Sequence, residues 1–559
     1  MQRLELTWIG KGEDPQVEPR ILMHDSSLDY GDPNSENMLI HGDNLLALKA
    51  LEQDYAGKVK CIYIDPPYNT GNAFEHYDDN LEHSIWLNLM HSRIRILRNL
   101  LADDGFFCVQ IDDAEGSYLK VILDELFGRS NYLATFFIQV RYANKTLAED
   151  SDYQKIIEQC HIYAKQRSQA KLNRPQAEYD IGKFKWRVIE KEPGEVLILG
   201  NKRVEIFKPE QYEIVEEEPS LNGLKETWAT GSLARVRASA GEFFELYLAE
   251  RKDIDGLGCL YKVEGIGEDG LGYRYISGPK KATAKKGKFY SGIPLKRLEE
   301  LKTGKSMKYL PVSNFYDYAG AFGNCRLEGG VDFKGGKKPE VLLETLLTYF
   351  TNKGDLVLDS FLGSGTTAAV AHKMGRKYIG IELGDHCYSH CRPRLMRVVD
   401  GDQTGISSGV NWKGGGGFKF FELAPSLITI DSYGNRVISD KYSQEMLVAA
   451  VAKLNGYKFS PSDDVFWKQG YSQDKSYIYV TTQYLTAETL DSIAADMEPT
   501  ESLLACAPAF DLGLNMRYDN ISVKKIPQSV LDKCEYGVDN YNLNVIELPA
   551  CDDEEWEDD

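Results

Sequence analysis

Asp65-Pro66-Pro67-Tyr68 closes an apolar run in the stretch KVKCIYIDPPYNTGN, residues 58–72. Two prolines stop a strand, but that alone does not explain the acid before them or the aromatic after them. The prolines fix the backbone at the edge where α/β sheets form their ligand clefts. A carboxylate followed by a proline carbonyl offers two acceptors for the two N–H bonds of a planar exocyclic amine. Such an amine is a poor nucleophile, because its lone pair is delocalised into the ring. Gripping both N–H bonds draws the nitrogen toward tetrahedral geometry and aims its lone pair at an electrophilic methyl group. Tyr68 offers a face for a base taken out of a duplex.

A second constellation lies nearly three hundred residues on. VLDSFLGSGTT, 357–367, reads as a buried strand, the acid Asp359 and a glycine-rich turn opening a helix. Glycines there permit a tight turn and close backbone approach to a ligand. A phosphate-cradling P-loop needs a lysine after its second glycine, whereas Thr366 follows Gly365. Nucleotide hydrolysis thereby loses its main support. Nor is the spacing that of the dinucleotide fingerprint G-x-G-x-x-G. Glu382 ends the strand YIGIE nineteen residues after Gly363. An acid at that distance is placed to accept hydrogen bonds from both ribose hydroxyls of an adenosine. S-adenosyl-L-methionine offers that ribose without a phosphate and is the cofactor the pattern fits.

Both constellations need a sheet to hold them. CIYID (61–65), GFFCVQID (105–112) and CHIYAK (160–165) read as strands, with a helix of about twenty residues between the first two. Trp86, Met90, Ile94, Leu97 and Leu101 recur there at helical spacing. DLVLDSF (355–361), a helix from Thr366 to about Met374, and KYIGIEL (377–383) repeat the alternation. Short apolar strands alternating with helices predict a doubly wound, mostly parallel sheet in an α/β, Rossmann-like fold. Residues 166–335 differ, being rich in Lys, Glu, Gly and Tyr, and read as an inserted domain. After WKGGGGFKFFEL (412–423), the helical QEMLVAAVAKL and ETLDSIAADM alternate with the extended SYIYVTT and SLLACAPAF. That region reads as a small C-terminal α/β accessory domain.

Composition sets outer bounds. With 559 residues the chain has room for two to four domains. No charge-flanked apolar run resembling a signal peptide occurs in the first thirty residues, and no apolar stretch is long enough for a membrane span. Ten scattered cysteines fit reduced thiols and a cytoplasmic location. The net charge of −20 argues at first against nucleic acid, but residues 279–308 hold ten Lys or Arg against two Glu. Lys280, Lys281, Lys285, Lys286, Lys288, Lys296 and Arg297, interleaved with Phe289, Tyr290 and Tyr309, read either as a solvated basic loop or as the expected DNA-binding segment. The closing DDEEWEDD supplies much of the acidity.

DPPY followed by DSFLGSGTT resembles the amino-methyltransferases that act on adenine N6 or cytosine N4 in DNA, in the order of their β class. NMLIHGDNLLALKAL (37–51), the block 65–128, KKPEVLLETLL (337–347) and WKGGGGFKFFEL extend the similarity to the modification subunits of type III restriction-modification systems. The resemblance covers roughly 20–165, 335–425 and, more loosely, the C-terminal region. It implies an S-adenosylmethionine-dependent methyltransferase fold. The corresponding divisions are an N-terminal extension (1–36), a first catalytic half (37–165), a target-recognition domain (166–335), a cofactor-binding half (336–425) and the accessory domain (426–559).

By position, Asp65, Pro66, Pro67 and Tyr68 become the target-amine motif. Asp359, Phe361, Gly363, Ser364, Gly365, Thr366 and Thr367 line the methionine end of the cofactor, and Glu382 takes the ribose. Asp43 faces the cofactor's adenine and Lys338 helps hold its carboxylate. The implied activity is adenine N6 methylation of double-stranded DNA by a homodimer, alongside a separate restriction subunit with ATP-dependent translocase and nuclease activity. Cytosine N4, RNA or protein amide methylation, and a DNA-specificity subunit whose catalysis has decayed, are the alternatives.

Two further motifs invite other chemistry. DHCYSHC (385–391) spaces His386 with His390 and Cys387 with Cys391 four apart, as zinc ligands can be. Amine methylation needs no metal, so a packing helix is expected there. Asp112 and Asp113, with Glu115 nearby, are expected to end a strand and cap the next helix rather than form a nuclease site.

Overall fold

Runs rich in β-branched and aromatic residues, too short for helices, form the strands that position the site. The computed structural model describes residues 5–12, 18, 20–69, 83–144, 153–228, 239–267, 271–284, 287–303, 307–333, 335–430, 432–433, 436–472 and 475–526, the side chains of 239, 240 and 436 excepted. The main sheet contains, in chain order, β1 (Met38–His41), β2 (Val59–Ile64), β3 (Leu101–Ile111), β4 (Tyr132–Gln139) and β5 (Ile157–Ala164). It continues with β6 (Phe315–Asp317), β7 (Leu356–Asp359), β8 (Lys377–Glu382) and β9 (Gly417–Leu423). Helices α1 (Asn44–Tyr55), α2 (His83–Leu100), α3 (Gly116–Leu123), α4 (Glu340–Phe350), α5 (Thr366–Lys373) and α6 (Arg392–Val399) accompany them.

Across the sheet the order is β9-β1-β8-β7-β2-β3-β5-β4-β6, with the short strand Leu22–His24 outside β9. Every pair from β9 to β3 is parallel, whereas β5 runs antiparallel to both its neighbours. From β7 the chain winds outward to β8, and from β2 it winds the other way to β3. The boundary between β7 and β2 is therefore a topological switch point, where an α/β sheet opens a crevice at its carboxyl edge. This is the doubly wound, mostly parallel α/β arrangement expected from the alternation of strands and helices.

Trp86, Met90, Ile94 and Leu97 of α2 are buried with Leu48 and Leu51 of α1 and with Ile62 and Ile64 of β2. Leu101 breaks the helical expectation. It lies at the start of β3, opposite Val59, because the helix has ended at Leu100.

The chain divides into two compact units, Met1–Asn173 with Ser313–Asp559, and Arg174–Val312. The second unit holds an antiparallel eight-stranded sheet running from Glu195–Leu199 at one edge to Tyr212–Glu216 at the other. Within the first unit, residues beyond 457 add a five-stranded sheet. The helix Gln444–Leu454 packs on Ile478, Val480 and Leu504, while Leu490 and Ile493 of Ala487–Asp496 share a separate core with Leu503 and Ala505. Eight of the cysteines are free and buried. Among the described residues no helix is long and apolar enough to cross a membrane.

Candidate active site

Cys61 stands opposite Val357 and Ile62 opposite Leu358, so β2 and β7 deliver Asp65 and Asp359 to the same edge at the switch point. The turn after β2 is held from α2, where the Trp86 indole donates to the Pro67 carbonyl at 2.8 Å. Pro66 is buried and Tyr68 half-buried. Asn69 then adopts the left-handed conformation, φ 57°.

Around Asp65 the structure assembles a polar cluster that sequence reasoning missed in part. The Tyr68 hydroxyl lies 2.8 Å from Asp65 Oδ1 and 2.8 Å from Glu158 Oε2. The Lys338 ammonium sits 2.8 Å from Asp65 Oδ2, 3.6 Å from Glu158 Oε2 and 5.0 Å from the centre of the Tyr68 ring. Gln110 Nε2 donates to Glu158 Oε2 at 2.5 Å, and the Tyr63 hydroxyl donates to Gln110 Oε1 at 2.8 Å. Glu158 is the second residue of β5, and only the reversed direction of that strand brings its amino end to the carboxyl edge of β2 and β3. No local signal in the sequence marks it.

Burial raises the pKa of Asp65; Lys338 pulls it down and Glu158 pushes it up, leaving it above the ordinary carboxylate value. Burial alone would lower Lys338, but Asp65 and Glu158 together hold its pKa above the ordinary lysine value. One ammonium thus faces two carboxyl groups. Lys338, expected at the cofactor's carboxylate, has its charge on Asp65 instead.

The glycine turn is held from three sides. Glu382 Oε2 accepts from the Gly363 amide at 2.6 Å, while its Oε1 lies 2.9 Å from the Leu383 amide and 3.0 Å from His386 Nε2. Burial would raise the Glu382 pKa, but these donors, led by His386, lower it and keep the carboxylate ionised. Asp359 accepts from the Phe361 amide at 3.0 Å and from the Thr367 hydroxyl at 2.6 Å. Its burial nevertheless pushes its pKa up to about 7. Gly363 and Gly365 have φ of 56° and 81°, a conformation that an L side chain adopts only with strain. A Cβ built on Gly363 meets nothing within 4 Å, so the turn faces open space. Ser360 Oγ is buried there with no hydrogen-bond partner. Phe361, Ser364, Thr366 and Thr367 are all buried around the turn.

Behind the turn lies a buried ionic network, also missed. Glu340, Lys373 and Arg394 are each fully buried; Glu340 is 2.9 Å from Lys373 and 2.8 Å from Arg394. Lys373 also reaches Asp402 at 2.8 Å, and Arg394 donates to the Thr366 hydroxyl at 2.7 Å. The network ties α4, α5 and α6 to the turn.

The remaining sequence-derived candidates divide. Asp43 caps α1 by accepting from the Leu46 amide at 3.0 Å, and Arg93 lies 3.3 Å from its other oxygen. Neighbouring Asn44 donates to the Ser360 carbonyl at 2.8 Å, fastening the HGDN segment to the end of β7. In DHCYSHC, His386 pairs with Glu382, His390 lies 3.1 Å from the Asp332 carbonyl, and Cys391 Sγ lies 3.0 Å from the Gly363 carbonyl. Asp112 accepts from the Ala114 amide at 2.8 Å, so it caps the turn before α3; Glu115, with no side-chain capping bond, occupies the cap position of that helix.

In the basic segment Lys280, Lys281 and Lys296 are exposed, while Lys285 and Lys286 lie outside the described residues. Lys288 is bound to Glu226 at 2.6 Å and Arg297 to Glu300 at 2.5 Å. Phe289 and Tyr290 are not interleaved surface aromatics. They belong to a strand of the eight-stranded sheet and are 6% and 4% exposed.

The family model described as DNA methylase, N6_N4_Mtase, matches residues 59–391, more than half of the chain and both halves of this site. The chain belongs to the DNA methylase family. It is 35% identical to the type III HindVI Mod subunit of Haemophilus influenzae, over 70% of this chain and 54% of that protein. To the type III EcoPI Mod subunit of Escherichia phage P1 it is 27% identical, over 67% of this chain and 62% of that protein. The chain therefore spans between half and two thirds of the length of these relatives. Among solved structures, the cytosine-N4-specific PvuII DNA methyltransferase is 14% identical with a TM-score of 0.32, over 67% of this chain and 91% of its own.

Proposed function

We propose that this DNA methylase transfers a methyl group from S-adenosyl-L-methionine to N6 of an adenine flipped out of double-stranded DNA. The observation that carries the reading is the switch point. An amine grip at Asp65 and Tyr68 and an open glycine turn at Gly363 leave adjacent parallel strands at one sheet edge.

The residues present fit the cofactor. The open space before Gly363, the unpartnered Ser360 hydroxyl and the ionised Glu382 make a polar cradle with no lysine for a phosphate. Asp359, Phe361, Gly363 and Ser364 through Thr367 would hold its methionine end and Glu382 its ribose. Asp43 would lie toward its adenine. When bound, the cofactor supplies an electrophilic methyl group.

The chain's own residues do the rest. Tyr68 stacks the extruded base, and Asp65 with the Pro66 carbonyl accepts the two amine N–H bonds, at a distance that converts binding energy into orientation. To enter, the amine takes the place of the Lys338 ammonium at Asp65. Lys338 then acts at the target amine instead of the cofactor's carboxylate.

Relatives named as type III Mod subunits support a DNA substrate and a role in a restriction-modification system. A homodimer, a separate restriction subunit and a cytoplasmic setting complete the proposal. Residues 166–335 act as the target-recognition domain and 426–559 as an accessory domain in the same reading. The test is transfer of labelled methyl groups to duplex DNA, with RNA and protein as parallel substrates. Asp65→Asn should lower transfer to adenine by about a hundredfold or more while cofactor affinity stays within about twofold. Transfer at the normal rate by that variant would overturn the amine-grip role.

A further inference from the structure

Glu158 has no part in the reading above, yet it shares Tyr68 with Asp65. A tyrosine hydroxyl carries one hydrogen, so it can donate to one of two carboxyl oxygens but not both. Both lie 2.8 Å away, at Asp65 Oδ1 and Glu158 Oε2. The second contact needs a hydrogen of its own, and only a protonated carboxyl can supply it. Charge leads to the same count. The Lys338 ammonium balances one carboxylate, and it stands closer to Asp65 than to Glu158. The second negative charge, in this enclosed cluster, is neutralised by a shared proton, as in other carboxyl pairs.

We propose that Asp65, Tyr68 and Glu158 form a proton relay that removes the proton released when the target amine is methylated. This rests on the amine-methylation reading. In the free protein the chain runs from Glu158 Oε2–H to the Tyr68 oxygen and from the Tyr68 hydrogen to ionised Asp65. Entry of the amine moves Lys338 from Asp65 toward Glu158, and the shared proton leaves to solvent. The N–CH3 bond then forms as the S–CH3 bond breaks, its electron pair staying on sulfur, and the amine becomes cationic. Asp65 takes one N–H proton and passes it to the Tyr68 oxygen as the Tyr68 hydrogen moves to Glu158. Tyr68 is unchanged, Glu158 is protonated again, and Lys338 returns to Asp65. Glu158 is a positioning and proton-accepting residue that acts through Tyr68.

The groups facing the pair are Lys338 before α4, Tyr63 and Gln110 on β2 and β3, and Asp359 at the end of β7. Lys338 favours ionisation while Asp359 opposes it, and burial holds Asp65 above the ordinary carboxylate value.

The test compares wild type, Glu158→Gln and Tyr68→Phe, which keeps the ring for stacking. Single-turnover methylation of duplex DNA by wild type should rise with pH as the pair loses its proton. Both variants should be slower by about a hundredfold and lose that acid limb. Glu158→Asp should regain part of the limb. Infrared difference spectra of the ligand-free proteins, wild type minus Glu158→Gln, supply an independent reading: a protonated-carboxyl band at neutral pH in addition to the one that Asp359 contributes to both. Cofactor affinity should be unchanged in both, which also verifies folding. Variants with the wild-type rate and pH profile, or a free protein with no such band, would overturn the relay alone. A wild-type protein that methylates no DNA would overturn the activity on which the relay rests.

Discussion

At Asp359 two demands conflict. The hydrogen bonds from Thr367 and Phe361 favour the ionised carboxylate, while burial pushes its pKa up to about 7 from 3.8. Between those values the folded chain holds the proton more tightly than the unfolded chain. Stability therefore falls as pH rises through this window and levels off above it, by at most about 4 kcal/mol. Asp359→Asn should remove that slope while weakening cofactor binding, and thermal melts from pH 4 to 8 with parallel calorimetry would register both effects. Gly363 makes a second residue-scale case. Gly363→Ala should cost about 1 kcal/mol of stability through its positive φ, yet abolish cofactor binding, because the methyl enters the open space before the turn. Asp65, Tyr68, Gly363 and Glu382 stand out in the sequence because residue type and local spacing mark them. Glu158, Gln110 and Tyr63 do not, since each sits in an ordinary strand and acquires a partner only across the sheet.

Elements decide how firmly the turn is held. Glu340 opens α4 and Lys373 ends α5, positions where helix dipoles welcome surface charges. The structure buries both completely, with Arg394 of α6 between them and the glycine turn. Lys373→Met leaves Glu340 and Asp402 short of a cation, and should destabilise the protein by about 3–5 kcal/mol in urea unfolding. A change below about 1 kcal/mol would show that Arg394 alone suffices. The reading of 377–383 as a strand and 366–374 as a helix came within a residue of β8 and α5, since apolar runs and the glycine turn fix such ends locally. Leu101 was misplaced because a leucine at helical spacing also suits the first position of a buried strand.

For the whole molecule, charge distribution matters more than the net −20. Lys288 and Arg297 are already engaged by Glu226 and Glu300, which leaves Lys280, Lys281 and Lys296 as the exposed ones, among the described residues, of the seven cations named for DNA binding. Replacing these three with Ala should weaken binding to all duplex sequences alike and reduce the slope of log affinity against log salt by about three. Unchanged affinity and slope in fluorescence anisotropy would place the DNA path elsewhere. The sequence by itself determined the class of fold and the places of β2, β3, β5, β7 and β8, because periodicity, glycine turns and strand-ending prolines act over a few residues. Only the tertiary structure decided which way β5 runs, where Lys338 puts its charge, and which lysines remain exposed. Those outcomes depend on groups far apart in the chain meeting in a low-dielectric interior, and no local pattern encodes such meetings.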